Sequence, residues 1–252
     1  MIEIFILSII QGISEFLPVS SSSHLILASS YLDYNNENLS IDVSLHIGSF
    51  FAVLIYFRNE IFYFFKNKDL FLKIIAASIP TMIIGYILVK YDLIDKLRSV
   101  EIIGWTTLIF GILMYFSDKF KNKNKLKINL SYKAVFFIGL MQVLSLIPGV
   151  SRSGVTITAA RFLNFKRFDS AKISFLFSIP ILAAVSFFGL SNIVLSNDLQ
   201  FTFINFTSIF LSFIFSFLTI KYFLKYVESF SLTVFVIYRV ILGIIILAFA
   251  YF

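Results

Sequence analysis

The chain has 252 residues, 59% of them hydrophobic and only 14% charged, with 33 Phe. Soluble domains average about 45–50% apolar and about 25% charged. A mean hydropathy of +0.92 is therefore too high for one soluble core, whose surface outgrows its interior, and far too high for disorder. A net charge of +7, no Cys and two His exclude a disulfide framework and thiolate or multi-histidine metal sites; the charge fits basic membrane loops rather than a nucleic-acid partner.

From the N-terminus, Met1-Ile2-Glu3-Ile4 has no basic n-region, so no cleaved signal peptide is expected. Residues 2–32 are apolar but broken by Gln11, Gly12, Glu15, Pro18 and the run Ser20-Ser21-Ser22-Ser23. Each arm is too short to cross unbent, since a span needs about 20 residues. A re-entrant helical hairpin is predicted there, because irregular backbone at membrane depth is tolerated only against protein or a polar cavity. Spans are predicted at 43–65, 71–90 and 100–117, then a second broken stretch at 133–163, then spans at 171–195, 201–221 and 231–252. The second hairpin breaks at Gln142, Ser145, Pro148-Gly149 and Ser151-Arg152-Ser153-Gly154.

The hairpins resemble each other. At a shift of 131 residues Gln11 falls on Gln142, Ser14 on Ser145, Val19 on Val150, Ser20 on Ser151 and Ser22 on Ser153. The loops 58–70 and 118–133, the turn 161–172 and the pair Lys221 and Lys225 concentrate Lys and Arg on one side, while 33–42 and 191–200 have none. The basic side is placed in the cytoplasm. The hairpins then enter from opposite faces. The expected fold is an all-α polytopic membrane protein with about six transmembrane helices and two re-entrant helical hairpins related by an inverted-topology repeat. It forms one integral membrane domain over 1–252, with halves 1–130 and 131–252.

Gln11 and Glu15 are four apart and share a helix face. Glu15 at membrane depth is either functional or a protonated or paired structural group. The serine run offers backbone N–H groups and hydroxyls that suit a phosphate. His24 is a nucleophile, a proton carrier or a packed ring. In the second hairpin Arg152 has a planar fork suited to phosphate oxygens, or is a cytoplasmic charge. Asp42 reads as an N-cap of the first span, His46 as a packed or supporting residue, and Arg239 as structural. Together the tips hold what phosphoryl transfer needs: metal-ligating oxygens suited to Mg²⁺ or Ca²⁺, a nucleophile or base, and cationic stabilisation. Apolar walls point to a lipid-linked phosphate. Broken helices meeting at the midplane also suit a transporter or flippase of a prenyl phosphate.

The stretches Gln11–His24, Ile41–Gly48, Pro148–Thr156 and Ile237-Tyr238-Arg239 resemble the bacterial undecaprenyl-diphosphate phosphatase family, the bacitracin-resistance type. The resemblance spans the whole chain. It implies hydrolysis of undecaprenyl diphosphate to undecaprenyl phosphate and phosphate, recycling the lipid carrier of cell-wall synthesis. By that resemblance Glu15, His24, Ser21 and Arg152 are catalytic. Gln11, Ser20, Ser22, Ser151, Ser153, Gly154 and Thr156 touch substrate, and Glu15 with Gln11 holds the divalent cation. Gln11 stands where many relatives have Glu, which lowers the negative charge offered to a metal. Ser22 and Ser23 stand where relatives often have Thr and Gly. The resemblance also implies the bacterial inner membrane, an outward-facing site, lipid partners and a homodimer as an oligomeric option.

Overall fold

The computed structural model describes residues 2–25, 39–64, 68–91, 93, 95–120, 123–195 and 203–252. Their regular structure is helical. The order is α1 (Ile2–Ser14), α2 (21–25), α3 (Leu39–Tyr56), α4 (Arg58–Phe64), α5 (Lys68–Lys90), α6 (Val100–Asp118), α7 (Leu126–Asn129), α8 (Tyr132–Val143), α9 (Arg152–Phe162), α10 (Arg167–Leu195), α11 (Phe203–Ser229) and α12 (Thr233–Tyr251). Among the described residues five helices, α5, α6, α10, α11 and α12, are long and apolar enough to cross a membrane. Helices close their own backbone hydrogen bonds, which lipid demands. The chain is a multi-pass membrane protein. Its outward Phe and Ile side chains, such as Phe187, Phe210 and Phe249, face a solvent as apolar as themselves.

Boundaries follow the expected spans with one clear departure. The segment 43–65 is not a single helix: α3 starts earlier, at Leu39, and the chain turns at Phe57 before α4. The polar triplet Arg58-Asn59-Glu60 ends the apolar run, and the Arg58 guanidinium takes the Ile55 carbonyl at 3.2 Å. Asp42 therefore lies inside the first turn of α3 rather than at its cap. At the other extreme, α11 runs beyond the expected 201–221, to Ser229.

Both broken stretches break as expected. In the first, α1 ends at Ser14, residues 15–19 turn, and α2 begins at 21; residues 26–32 of its returning arm lie outside the described residues. In the second, α8 gives way to a 3₁₀ turn at Leu144–Leu146, and α9 leaves from Arg152. The leading helix of each hairpin rests on a long helix from the other end of the chain: α1 on α11, and α8 on α5. The approaches are close. A Cβ on Gly12 would lie 2.5 Å from the Phe215 Cβ, and one on Gly139 would lie 2.6 Å from the Ala77 carbonyl oxygen. Small residues at such crossings let helix backbones pack in lipid. Phe16, one residue past Glu15, is wedged edge-on against Phe175 of α10 at 5.2 Å, and Phe57 meets the same ring at 6.4 Å. The first tip is thereby anchored to the second half of the chain.

At the lysine-rich end, Asp118 closes the bundle. Its carboxylate accepts two bonds from Arg167, at 2.7 and 3.0 Å, and one from the Leu232 N–H at 3.1 Å. The fully buried Arg161 lies 3.5 Å from it and donates to the Phe165, Phe120 and Asp118 carbonyls. Two arginines that count as positive-inside residues thus serve as internal struts. Removing one partner of a buried pair leaves a bare charge, at a cost of roughly 3–5 kcal/mol. Asp118→Ala is expected to lower stability by about that amount in detergent unfolding; a change below about 0.5 kcal/mol would contradict this role.

Candidate active site between the two hairpin tips

Helix α1 ends with Gln11 and Glu15 on one face, and the Gln11 amide donates to Glu15 Oε2 at 3.1 Å. The chain then turns through Pro18 to Ser20, whose φ is +79°. In the second hairpin Gly149 has φ +90° and Ser151 has φ +69°. Residues with side chains rarely enter this left-handed region, yet Ser20 and Ser151 both do, each just before a helix. These are the two serines that the 131-residue shift aligns. Ser151 caps α9 by accepting from the Gly154 N–H at 3.1 Å.

The tips meet. Arg152, the first residue of α9, places Nη2 2.5 Å from Glu15 Oε1. The other carboxylate oxygen accepts from the Ser21 hydroxyl at 2.7 Å as well as from Gln11. Ser153 donates to the Leu17 carbonyl at 2.7 Å, a second tie across the gap. Glu15 is thus a paired carboxylate that joins three side chains, Gln11 and Ser21 of its own hairpin and Arg152 of the other. Two buried polar atoms here have no hydrogen-bond partner: Arg152 Nη1 and Gln11 Oε1. Such atoms mark where a ligand or ion finishes the hydrogen bonding.

The remaining expected residues divide. Ser20 and Ser23 exchange a hydroxyl contact at 3.0 Å, and Ser22, exposed, lies 3.3 Å from Ser20. Ser151 and Ser153 are 3.2 Å apart. Gly154 is needed for space, since a Cβ there would sit 2.6 Å from Arg239 Nη1. The Thr156 hydroxyl is turned the other way, to the Arg152 carbonyl and to Ser174 Oγ, both at 2.7 Å. His24 does not bond to Glu15 or Ser21; its ring nitrogens go to the Ser20 carbonyl oxygen and the Tyr238 hydroxyl, at 2.6 and 2.5 Å. His46 donates to the Asp42 carbonyl at 2.8 Å.

Tyr238 and Arg239 of α12 complete the site. Arg239 is fully buried and donates to carbonyls of both tips: Gly149 at 2.8 Å, Val150 at 3.1 Å and Pro18 at 3.4 Å, with Nε on Thr107 at 3.3 Å. Its reading as structural holds. Tyr238 carried no role in the sequence reading, although it adjoins Arg239 within one of the stretches singled out there. A cavity of about 670 Å³ lies elsewhere, between α4, α5, α7 and α10, and none of its lining residues belongs to either hairpin.

A family profile described as "Bacitracin resistance protein BacA" matches residues 4–245, which include both tips and the Tyr238–Arg239 pair. The chain belongs to the BacA family. An undecaprenyl-diphosphatase of Pelagibacter ubique (strain HTCC1062) is 49% identical over 251 residues, covering 99% of this chain and 98% of that protein. Undecaprenyl-diphosphatases of Aliivibrio salmonicida (strain LFI1238) and Jannaschia sp. (strain CCS1) are 40% and 37% identical over 261 residues, each covering 98% of this chain. Coverage at these levels makes the BacA fold that of the whole chain, not of an inserted module.

Because Arg239 satisfies carbonyls on both tips, a lysine should not replace it. An ammonium is a point donor without the planar fork. Bonds to charged groups are worth about 1.5–3 kcal/mol each. Arg239→Lys is expected to cost roughly 2–4 kcal/mol in detergent unfolding; wild-type stability would show that the fork is dispensable.

Proposed function

We propose that the chain hydrolyses undecaprenyl diphosphate to undecaprenyl phosphate and inorganic phosphate, regenerating the lipid carrier of cell-wall synthesis. The names of its relatives support this substrate. The observation that carries the chemistry is the 2.5 Å contact of Arg152 with Glu15, which puts a cation, a carboxylate and a serine hydroxyl in one buried spot. The setting that fits this substrate is the bacterial cytoplasmic membrane, with the site open to the outer side and the prenyl tail leaving between helices into lipid. The two hairpins are read as the cores of inverted repeats spanning 1–130 and 131–252.

Arg152 Nη1, a buried donor with no partner, is the natural contact for the terminal phosphoryl group, and Nη2 holds Glu15. The Ser21 hydroxyl, 2.7 Å from Glu15 Oε2, has the nucleophile–base geometry of covalent catalysis. Its Oγ attacks the terminal phosphorus, its proton passes to Glu15, and undecaprenyl phosphate departs with the bridging oxygen. Water then attacks the phosphoserine. His24 Nε2 takes a proton from the water as the bond from phosphorus to Ser21 Oγ breaks, Glu15 returns its proton to Ser21 Oγ, and His24 then releases its proton to solvent as phosphate leaves. Ser21 rather than His24 is the nucleophile in this reading, because Ser21 has the carboxylate partner that His24 lacks.

Among the described residues no three His, Cys, Asp or Glu side chains cluster as a metal cage. The donor set still fits a hard cation that shares ligands with its substrate. Glu15 supplies a carboxylate, and Gln11 Oε1 is a buried oxygen without a partner. Mg²⁺ commonly takes one or two carboxylates and completes its shell with phosphate oxygens and water. When bound, Mg²⁺ or Ca²⁺ would neutralise diphosphate oxygens next to Arg152.

The test is phosphate release from a prenyl diphosphate by detergent-purified protein. Arg152→Ala is expected to lower kcat by about 10³-fold or more, Arg152→Lys to restore little of it, and Glu15→Ala to abolish turnover. Rapid quench should trap an acid-stable phosphoserine. Lipid movement in proteoliposomes without phosphate release would contradict the proposal and favour a transporter. Chelation should stop turnover, with rescue by Mg²⁺ or Ca²⁺. Gln11→Glu should lower the concentration of cation needed for half-maximal rate; an unchanged requirement would remove Gln11 from the metal site.

A further inference from the structure

The His24 ring is held at both nitrogens. Nδ1 lies 2.6 Å from the Ser20 carbonyl oxygen. A carbonyl only accepts, so Nδ1 carries a proton. In the neutral ring the lone pair is then on Nε2, where the Tyr238 hydroxyl sits at 2.5 Å with a proton to donate. The two rings also lie nearly parallel, 5.8 Å apart and inclined by 11°. Neither anchor is free to drift. Ser20 is fixed in the left-handed region, and Tyr238 precedes Arg239, whose guanidinium grips the Pro18, Gly149 and Val150 carbonyls. The helix that sets the two loop backbones therefore also sets the imidazole.

We propose that Tyr238 is the positioning residue of His24: the Ser20 carbonyl sets the Nδ1–H tautomer, and the Tyr238 hydroxyl holds the Nε2 side of the ring in one orientation until the attacking water replaces it. This rests on the reading above, in which Nε2 takes the proton of the attacking water. The partner of the unused nitrogen commonly decides tautomer and orientation in histidine sites. Here the arrangement is tighter, because the working nitrogen is itself covered until the hydroxyl gives way. It also agrees with the bonding of His24, which goes to Ser20 and Tyr238 and not to Glu15 or Ser21. The ring is built to receive a proton late, not to attack phosphorus first.

The experiment is a double-mutant cycle on phosphate release from a prenyl diphosphate, using full-length protein in detergent. His24→Gln is expected to lower kcat by about 10²-fold or more. Tyr238→Phe keeps the ring and loses only the hydroxyl; kcat should fall about tenfold, with KM within about twofold. Added to His24→Gln, Tyr238→Phe should cost nothing further, since residues acting as a unit are not additive. The chain has two histidines, so ¹⁵N imidazole shifts recorded in a His46→Gln background report His24 alone. With the Ser20 carbonyl still on Nδ1, the Nδ1–H tautomer should persist in both proteins, while the Nε2 shift should move when the Tyr238 hydroxyl donor is lost in Tyr238→Phe, even if that variant loses stability. Wild-type kcat and an unchanged Nε2 shift in Tyr238→Phe would overturn the proposal, as would equal losses in both backgrounds. Full activity of His24→Gln would overturn it together with the assigned role of His24. Absence of phosphate release by the wild-type protein would instead overturn the phosphatase reading.

Discussion

Glu15 and Arg152 lie 137 positions apart in sequence and 2.5 Å apart in space. Isolated in an apolar interior, either charge would be prohibitively expensive. Together, with Ser21 and Gln11 on the second carboxylate oxygen, they hold two loops where lipid would otherwise expel them. A buried pair of this kind is poor evidence for net stability, because desolvation offsets much of the attraction. Its value is positional. The contact brings one cation and one carboxylate from opposite halves of the chain to a single buried point.

The surrounding structure solves one problem repeatedly: how to keep cations inside a membrane bundle. Arg239 is surrounded by carbonyls from both tips, and Arg161 by carbonyls and Asp118 at the lysine-rich end. Most of these carbonyls, Pro18, Gly149 and Val150 around Arg239 and Phe120 and Phe165 around Arg161, belong to backbone outside regular helix. Non-helical loops and buried arginines therefore satisfy each other. The loops expose acceptors that lipid cannot supply, and the guanidinium fork consumes them.

Much of this was legible in the sequence. Short apolar arms around Pro, Gly and Ser could not span, and both stretches break where predicted. The alignment of Ser20 with Ser151 foreshadowed the same left-handed φ at both. Glu15, Arg152, Ser21 and Gln11 were named from residue chemistry and resemblance, and they converge. Other features were not legible, for physical reasons. The split at Phe57 is a single-residue turn between two helices, and apolar periodicity, which runs on through Ile61 to Phe65, does not encode it. Thr156 belongs to the same short motif as Arg152, but helix geometry turns it toward Ser174. Tyr238 bonds to a residue 214 positions away, and an aromatic residue in an apolar helix gives no signal of such a partner. Arg161 and Arg167 resembled loop charges because sequence shows charge but not burial.

The account depends most on the two hairpin tips touching. The chain has no native Cys, so a cysteine pair at Leu17 and Ser153, whose carbonyl and hydroxyl are 2.7 Å apart, can be probed with a short bifunctional thiol cross-linker. The readout is whether the two halves stay joined after proteolysis of the lysine-rich loop near 123. Efficient joining in membranes, lost when either cysteine is omitted, is the expected result. Halves that separate while both thiols remain reactive would show that the tips do not meet, and no shared site would remain.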